Sequence, residues 1–300
     1  VVVVFLVVAV TASGLAVGPA GEAGPVARSD RSRIEGPGLL RALKMARMAL
    51  LTTSYPDVVQ ASDPAGYWRM GESSGSTFAD EEGYHGLNRF DGTLGAGGAI
   101  VGDANTAWEV ETGDNASQSV YSSPDYWSVD ASMELWYKPD TGSAGHPLAT
   151  LTNSCSNGGG GLRLDMLSTG AVQATAYYGP FGPQPTKTAT SGDALVAGQW
   201  HHIVFTRADT DLKLYINGAE VAQASSSESL TNGCQGSTSL TIAYGFSAGV
   251  HDETAYYKRI ITPGEALAHY RASGREPHEL PLASRSICKC DNASRGASSV

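Results

Sequence analysis

The sequence predicts an all-β protein, a sandwich of two antiparallel sheets with one short helix near its carboxyl end. The clearest observation is a β-hairpin encoded by residues 198–222. The composition agrees, because 36 glycines in 300 residues and 17% charged residues are typical of a turn-rich β protein. From Val58 onward, turn signals recur roughly every 8–12 residues, which is the spacing of short sandwich strands.

The hairpin segment is built from two strands and a tight turn. Residues 200–206 are β-branched, aromatic or histidine, which favours a strand. Residues 208–211 form the connection. In the second strand leucine and isoleucine alternate with Lys213 and Tyr215, and Asn217-Gly218 then supplies the two positive-φ residues of a type I′ turn.

The short helix is predicted from its capping residues. Thr262 and Glu265 have the spacing of a capping box, and Pro263 stands at the first helical position. The helix continues through Ala272 and ends at Gly274.

Four segments in one order resemble the laminin-G-like family of concanavalin A-like lectins and glucanases. They are residues 58–72 (VVQASDPAGYWRMGE), 132–140 (SMELWYKPD), 198–222 (GQWHHIVFTRADTDLKLYINGAEVA) and 249–259 (GVHDETAYYKR). The resemblance covers residues 58–274 and implies a jelly roll, with 58–72 as its opening strand and 249–259 as its closing strand. The family binds many ligands, so the resemblance leaves the function open.

The chain divides into a domain and two tails. Residues 1–23 begin with ten apolar residues and resemble a signal peptide, with a membrane anchor as the alternative. A linker with a short basic helix follows at 24–57, then the domain at 58–274 and a disordered tail at 275–300. The predicted location is therefore secreted or at the cell surface, with membrane contact only through the apolar segment if it is not cleaved.

The charge distribution excludes one class of partner. The net charge is −10, and the basic residues lie disproportionately in 1–51 and 275–300, so the domain is the acidic part. An acidic surface repels phosphate backbones, and no nucleic-acid partner is expected. Bound cations suit such a surface, although solubility alone explains the same charge.

Calcium is the cation that the resemblance implies. The loop at 78–86 stands where the family has an acidic loop suited to a hard cation, and Asp80 and Glu82 supply its carboxylates. Asp252 in the closing strand matches the family's acidic position and is expected to approach the same loop. An ordinary acidic turn is the alternative.

No catalytic residues are predicted. A retaining glycosidase needs two carboxyl groups about 5 Å apart. Glu109 and Glu111 share one strand face, but Asp114 follows a glycine where the chain should turn, so this segment does not place an acid and a nucleophile on opposite sides of a bond. His201 and His202 are adjacent in a strand and point to opposite faces, which prevents joint metal chelation.

Two further groups of residues are candidate site residues. Aromatic side chains at loops stack on sugar rings, and four are predicted to bind ligand: Tyr84, Tyr177, Tyr178 and Phe181. Cys155 and Cys234 stand in polar loops next to strands, which suggests a disulfide in an oxidising compartment, with two free thiols as the alternative.

The predicted function is a non-catalytic, lectin-like module that binds a glycan or an extracellular protein, with calcium as a possible cofactor. A glycoside hydrolase of the same fold is the first alternative. A structural spacer of a surface protein is the second.

Overall fold

The computed structural model describes residues 53–111, 128–143, 145–154, 159–179, 186–227, 237–243 and 248–275, which fall in one compact unit. The predicted signal-like segment, the basic helix of the linker and residues 276–300 lie outside the described residues. Within the described ranges the elements are, in chain order, α1 (Tyr55–Ala61), β1 (Gly66–Trp68), β2 (Thr77–Phe78), β3 (Leu87–Asn88), β4 (Thr93–Gly97), β5 (Thr106–Val110), β6 (Ala131–Pro139), β7 (His146–Ser154), β8 (Gly159–Met166), β9 (Ala171–Gly179), β10 (Thr186–Ala194), β11 (His201–Ala208), β12 (Asp211–Ile216), β13 (Ala219–Ser225), β14 (Ser237–Ile242), β15 (Gly249–Tyr257) and α2 (Pro263–Ala272).

The strands form the predicted antiparallel sandwich. An eight-stranded sheet has the order β13-β12-β11-β6-β15-β5-β4, and β1 also pairs with β15. A five-stranded sheet has the order β10-β9-β8-β7-β14, and β2 and β3 form a separate small ladder. Strands that are adjacent in a sheet are often distant in sequence; for example, β6 lies between β11 and β15. This crossing of the chain between sheets is what a jelly roll requires.

The main hydrophobic core lies between the two sheets. Side chains of both sheets meet there, including Leu135 and Phe205 from the eight-stranded sheet and Leu151, Leu164 and Val172 from the five-stranded one. Because side chains alternate along a strand, each sheet also has an outer face. These two outer faces differ in what covers them.

The outer face of the eight-stranded sheet is covered by the two helices. A second apolar cluster forms there, in which Trp136 and Tyr257 of the sheet pack with Tyr55 of α1 and Tyr270 of α2. As a result Ala131–Pro139 and Gly249–Tyr257 are buried on both faces and do not show the alternation of a half-exposed strand.

The hairpin prediction is confirmed. His201–Ala208 pairs with Asp211–Ile216, and the turn into β13 has positive φ at Asn217 (52°) and Gly218 (76°). Asn217 also accepts a hydrogen bond on Oδ1 from the backbone N–H of His202, at 2.9 Å, which fixes this turn to the neighbouring strand.

The prediction that 58–72 is an opening strand is wrong for most of its length. The chain forms α1 at Tyr55–Ala61, and only Gly66–Trp68 is a strand. Ser54 and Asp57 make a capping box with proline in the first turn. Tyr55 and Val59, one helical turn apart, bury together against the sheet, so the packed body begins before Val58.

The short closing helix is confirmed at Pro263–Ala272. Thr262 accepts a hydrogen bond from the backbone N–H of Glu265, and the Glu265 carboxylate accepts one from the backbone N–H of Thr262 at 2.8 Å. Arg259 holds the same carboxylate at 2.7 Å.

Candidate ligand-binding face

The outer face of the five-stranded sheet is not covered by a helix of the described structure, and it is polar. In β8 the apolar Leu162, Leu164 and Met166 point into the core, while Arg163 and Asp165 point outward. The other four strands alternate in the same way, and their outward residues are half-buried or exposed: Thr150, Thr152, Gln173, Thr175, Tyr177, Thr186, Thr188, Thr190, Ser239 and Thr241.

Strand register arranges these side chains in rows across the sheet. In order along the strands, the three rows are Ser239-Thr152-Gly161-Tyr177-Thr186, then Thr241-Thr150-Arg163-Thr175-Thr188, and then Asp165-Gln173-Thr190. The first row contains one aromatic side chain, Tyr177, and one glycine, Gly161, and the charged and amide side chains lie in the second and third rows. We call this surface the polar face.

The Tyr177 side chain reaches across a neighbouring strand on the polar face. Its hydroxyl is 3.3 Å from Thr152 Oγ1, although Tyr177 is on β9 and Thr152 is on β7, with β8 between them. The ring spans β8 at Gly161, where an added Cβ would lie 2.5 Å from Tyr177 Cζ. A side chain larger than hydrogen at residue 161 would thus displace the ring. The glycine leaves room for the end of the Tyr177 side chain to cross β8, and the side chain as a whole stays half-buried.

Two polar pairs lie to one side of this ring, one and two rows along the sheet. Arg163 Nε donates to Asp165 Oδ1 at 2.6 Å, and Gln173 Nε2 donates to Thr190 Oγ1 at 2.9 Å. Partial burial raises the pKa of Asp165, and the ion pair with Arg163 opposes that rise. The pair leaves this part of the face with compensated charge and with hydrogen-bonding groups at its surface.

The other predicted ligand-binding aromatics are not brought together with Tyr177 by any described contact. Tyr178 lies in β9, but the orientation of its side chain is not described, and Phe181 lies outside the described residues. Tyr84 is 75% exposed and stands between β2 and β3. That loop packs near β1, where Trp68 donates to the carbonyl of His85, and so belongs to the edge of the other sheet.

The Asp80 carboxylate organises the loop that was predicted to bind calcium. It accepts four backbone hydrogen bonds, from Tyr67 and Glu82 on Oδ1 and from Tyr84 and His85 on Oδ2, at 2.9–3.2 Å. A calcium ion needs carboxylate lone pairs that are here occupied by N–H donors. The contacts therefore fit an acidic turn better than a cation ligand.

Asp252 has partners of its own. Its oxygens accept from the backbone N–H of Ala99 at 2.7 Å and of Glu253 at 3.0 Å. Burial and the neighbouring Glu253 charge raise the pKa of Asp252 well above its usual range. In the described ranges no group of three or more histidine, cysteine, aspartate or glutamate residues is placed to hold a metal ion. Calcium binding by Asp80, Glu82 and Asp252 stays a prediction.

The acidic segment at 109–114 is described only as far as Glu111. Glu109 is half-buried near the end of β5, Glu111 follows the strand and is exposed, and Asp114 lies outside the described residues. The absence of catalysis stays a prediction. His202 is buried, and its Nε2 lies 2.8 Å from Glu134 Oε1.

The two cysteines also lie outside the described residues, but the strands leading to them are described. β7 and β14 pair with Ser154 opposite Ser237. The chain thus leaves β7 towards Cys155 at the end of the sheet where it enters β14 from Cys234. The disulfide stays a prediction.

Sequence reasoning missed most of the polar face. The available signal was the alternation of apolar and polar residues along a strand, as in LRLDM at 162–166, because such a pattern marks Arg163 and Asp165 as outward-facing. The same reasoning applies to Gln173 in its strand. It also missed the buried Glu134, since SMELWYKPD shows no alternation that would separate an inward from an outward residue.

The comparisons with known proteins agree with this architecture. The family model described as the concanavalin A-like lectin/glucanases superfamily matches residues 111–266, just over half of the chain. The chain belongs to this superfamily. No curated protein matches the chain.

Solved structures that are similar to this concanavalin A-like chain have low identity. A Trypanosoma rangeli sialidase mutant displaying trans-sialidase activity matches with a TM-score of 0.53 and 15% identity, over 80% of this chain and 39% of the sialidase. Domain 4 of AbnA, an extracellular GH43 arabinanase from Geobacillus stearothermophilus, was solved with arabinotriose. It matches with a TM-score of 0.50 and 19% identity, over 69% of this chain and 98% of the domain. These likenesses show the fold.

Neither of the two described helices combines the length and the apolar character that crossing a bilayer requires.

Proposed function

We propose that the protein binds a carbohydrate chain on the polar face, with Tyr177 as the platform on which a sugar ring stacks. The observation that supports this most directly is the position of Tyr177, whose side chain crosses Gly161 and whose hydroxyl contacts Thr152. The C–H face of a sugar packs on an aromatic ring that is fixed and partly exposed. A ring already held in place loses little side-chain entropy on binding.

The surroundings of Tyr177 suit sugar hydroxyls. Arg163 lies in the row next to Tyr177, Asp165 and Gln173 offer further donors and acceptors in the row beyond it, and the threonines add hydroxyl groups. Five strands spaced about 4.8 Å apart make a face about 19 Å wide, enough for several sugar units in a row. Because Arg163 and Asp165 compensate each other, this face favours an uncharged sugar over an anionic one.

The proposal includes no catalysis. Among the described side chains of the three rows, Asp165 carries the one carboxylate, and it is paired with Arg163. Glycoside hydrolysis by the common mechanisms needs two carboxyl groups on either side of the bond. A hydrolase of the same fold is the alternative, and the experiment below separates the two.

The proposal extends to location and to the choice of probe. The apolar segment at 1–10 supports export, which would bring the domain to extracellular polysaccharides. The arabinanase domain that shares this fold was solved with arabinotriose, which makes arabinan oligosaccharides a suitable first probe beside β-glucans and galactans.

The test compares three variants by calorimetry and by affinity electrophoresis in gels containing each polysaccharide. Tyr177→Ala should weaken binding by roughly fivefold or more, the equivalent of about 1 kcal/mol for a lost aromatic contact. Tyr177→Phe keeps the ring and should bind within about twofold of the unmodified protein. Tyr84→Ala is the matched control, since Tyr84 is exposed but not on the polar face.

The outcomes are distinct. Equal binding by Tyr177→Ala and the unmodified protein would contradict the site, and no binding to any glycan would favour a protein ligand or a spacer role. Release of reducing sugar that disappears in Asp165→Asn or Glu109→Gln would establish the hydrolase instead.

A further inference from the structure

We propose that Glu134 and His269 form a protonation-dependent clamp that holds helices α1 and α2 against the eight-stranded sheet. Glu134 lies on β6, is fully buried and points to the outer face of that sheet, beneath the helices. Its carboxylate accepts hydrogen bonds from four side chains: the Tyr55 hydroxyl at 2.5 Å, His202 Nε2 at 2.8 Å, the Tyr257 hydroxyl at 2.9 Å and His269 Nδ1 at 2.7 Å. One carboxylate thus joins both helices to strands β6, β11 and β15.

The geometry decides which imidazole carries the proton. His269 has a partner on both nitrogens, because Nδ1 faces Glu134 and Nε2 is 2.8 Å from Ser62 Oγ. An imidazolium at this position donates both protons. His202 donates from Nε2, but its buried Nδ1 has no hydrogen-bond partner within the described structure. A second proton on His202 would be buried without an acceptor, which costs free energy. The arrangement therefore holds a single ion pair, between Glu134 and His269.

The charges around Glu134 and His269 favour the ionised form of both groups. Burial raises the pKa of Glu134, but the two histidines outweigh that effect and lower it well below its usual range. Burial lowers the pKa of His269, whereas Glu134 and its hydrogen bond raise it above the ordinary 6.5. The other groups facing His269 are Glu265, which raises its pKa, Arg259, which lowers it, and the Tyr257 ring at 6.4 Å.

The sign of the pH effect follows from the direction of the His269 shift. A histidine whose pKa is raised by folding contributes stability that is fully present below its unfolded pKa of about 6.5. That contribution is lost as the pH rises through the raised pKa of the folded protein. Glu134 stays ionised throughout this range, so alkaline conditions leave a buried carboxylate facing two neutral imidazoles. The clamp is closed in mildly acidic solution and loosens as the pH rises through the pKa of His269 in the folded protein.

The effect is confined to one side of the sandwich. Glu134 contacts the helices and the outer face, whereas the main core between the sheets contains none of the clamp residues. Loosening should thus release α1 and α2 from the sheet and leave the polar face intact. Helix α1 is also where the chain preceding residue 53 joins the described domain, so the clamp sets how firmly this junction is held.

The test is amide hydrogen exchange of the full chain between pH 6 and pH 9, corrected for the intrinsic pH dependence of exchange. We expect the opening equilibrium of α1 and α2 amides to rise about tenfold over this range, the difference between a charged and a neutral hydrogen bond. Amides of β9 should not change. In His269→Gln, which keeps a hydrogen-bonding group but cannot titrate, the helices should open to the same extent at every pH. His146→Gln, at the start of β7 in the other sheet, is the matched control.

Two results would overturn the clamp. One is a pH-independent opening of the helices in the unmodified protein, and the other is an unchanged pH dependence in His269→Gln. If His269→Gln does not fold, nitrogen-15 shifts of the imidazoles in the unmodified protein decide the matter. Both ring nitrogens of the histidine bound to Glu134 in α2 should be protonated at pH 6.5, and a neutral ring there would contradict the proposal.

Discussion

The hydroxyl of Tyr177 lies 3.3 Å from Thr152 Oγ1, although a whole strand separates their backbones. This contact is possible because residue 161, between them, is glycine. The arrangement makes a sheet surface with an aromatic ring as part of its floor, rather than a loop with an aromatic tip.

The first prediction concerns Gly161→Ala. The added Cβ would lie 2.5 Å from the Leu151 carbonyl and from Tyr177 Cζ, so both the sheet and the ring must shift. We expect a loss of about 1–3 kcal/mol in the free energy of unfolding, as for other overpacked sites, together with loss of glycan binding. Chemical denaturation and calorimetry measure the two effects.

Gly192→Ala is the matched control for that experiment. Gly192 lies in β10 of the same sheet, and a Cβ there meets no heavy atom within 4 Å. Its unfolding free energy should stay within about 1 kcal/mol of the unmodified protein. Equal effects of the two substitutions would show that Gly161 has no special role beneath Tyr177.

The second prediction is a pH dependence at the start of α2. Partial burial raises the pKa of Glu265, but hydrogen bonds from Arg259 and Thr262 lower it to about 2. A lowered carboxyl pKa gives stability that is present above the unfolded pKa near 4.5 and lost as the pH falls through about 2.

Glu265→Gln should therefore destabilise the protein by about 0.5–1 kcal/mol at pH 7, the usual size of an exposed cap and ion pair. The difference from the unmodified protein should shrink between pH 4.5 and pH 2. Unfolding curves over this range check it, with Glu111→Gln as the exposed control. A difference that is constant with pH would mean that the Glu265 charge is not involved.

Residue patterns predicted the elements whose signals are local. The Asn217-Gly218 turn and the Thr262-Glu265 capping box are such cases, because backbone conformation there depends on neighbouring residues. Tyr177 was predicted as a ligand-binding residue, but its place on a sheet surface depends on the register of β7, β8 and β9, which joins residues distant in sequence. Glu134 was missed for the same reason, since its partners come from α1, β11, β15 and α2.

The third prediction separates the two interpretations of Asp80. As an acceptor of four backbone hydrogen bonds, it should be needed in calcium and in chelator alike. Asp80→Asn cannot accept on its amide nitrogen, and we expect it to lower the unfolding free energy by about 1–3 kcal/mol in both conditions.

Melting curves in millimolar calcium and in chelator check this, with Glu82→Gln and Asp252→Asn alongside. Identical curves for the unmodified protein in both solutions support the turn. A calcium-dependent rise in melting temperature that Asp80→Asn and Asp252→Asn both abolish would establish the predicted calcium site, because a ligand that binds only the folded state stabilises it by mass action.

The fourth prediction is the disulfide between Cys155 and Cys234. The pairing of Ser154 with Ser237 brings the two strand ends together, and Cys155 and Cys234 stand one and three residues beyond that pair. A bridge would close a loop of roughly 80 residues and add about 4 kcal/mol by restricting the unfolded chain, less any strain in the folded one.

Protein exported to an oxidising compartment should yield, on digestion without reductant, one peptide pair containing both residues, and reduction should lower its melting temperature. Cys288 and Cys290, mapped in the same digest, serve as internal controls for nonspecific oxidation. Recovery of Cys155 and Cys234 as free thiols, with a melting temperature that reduction does not change, would contradict the disulfide.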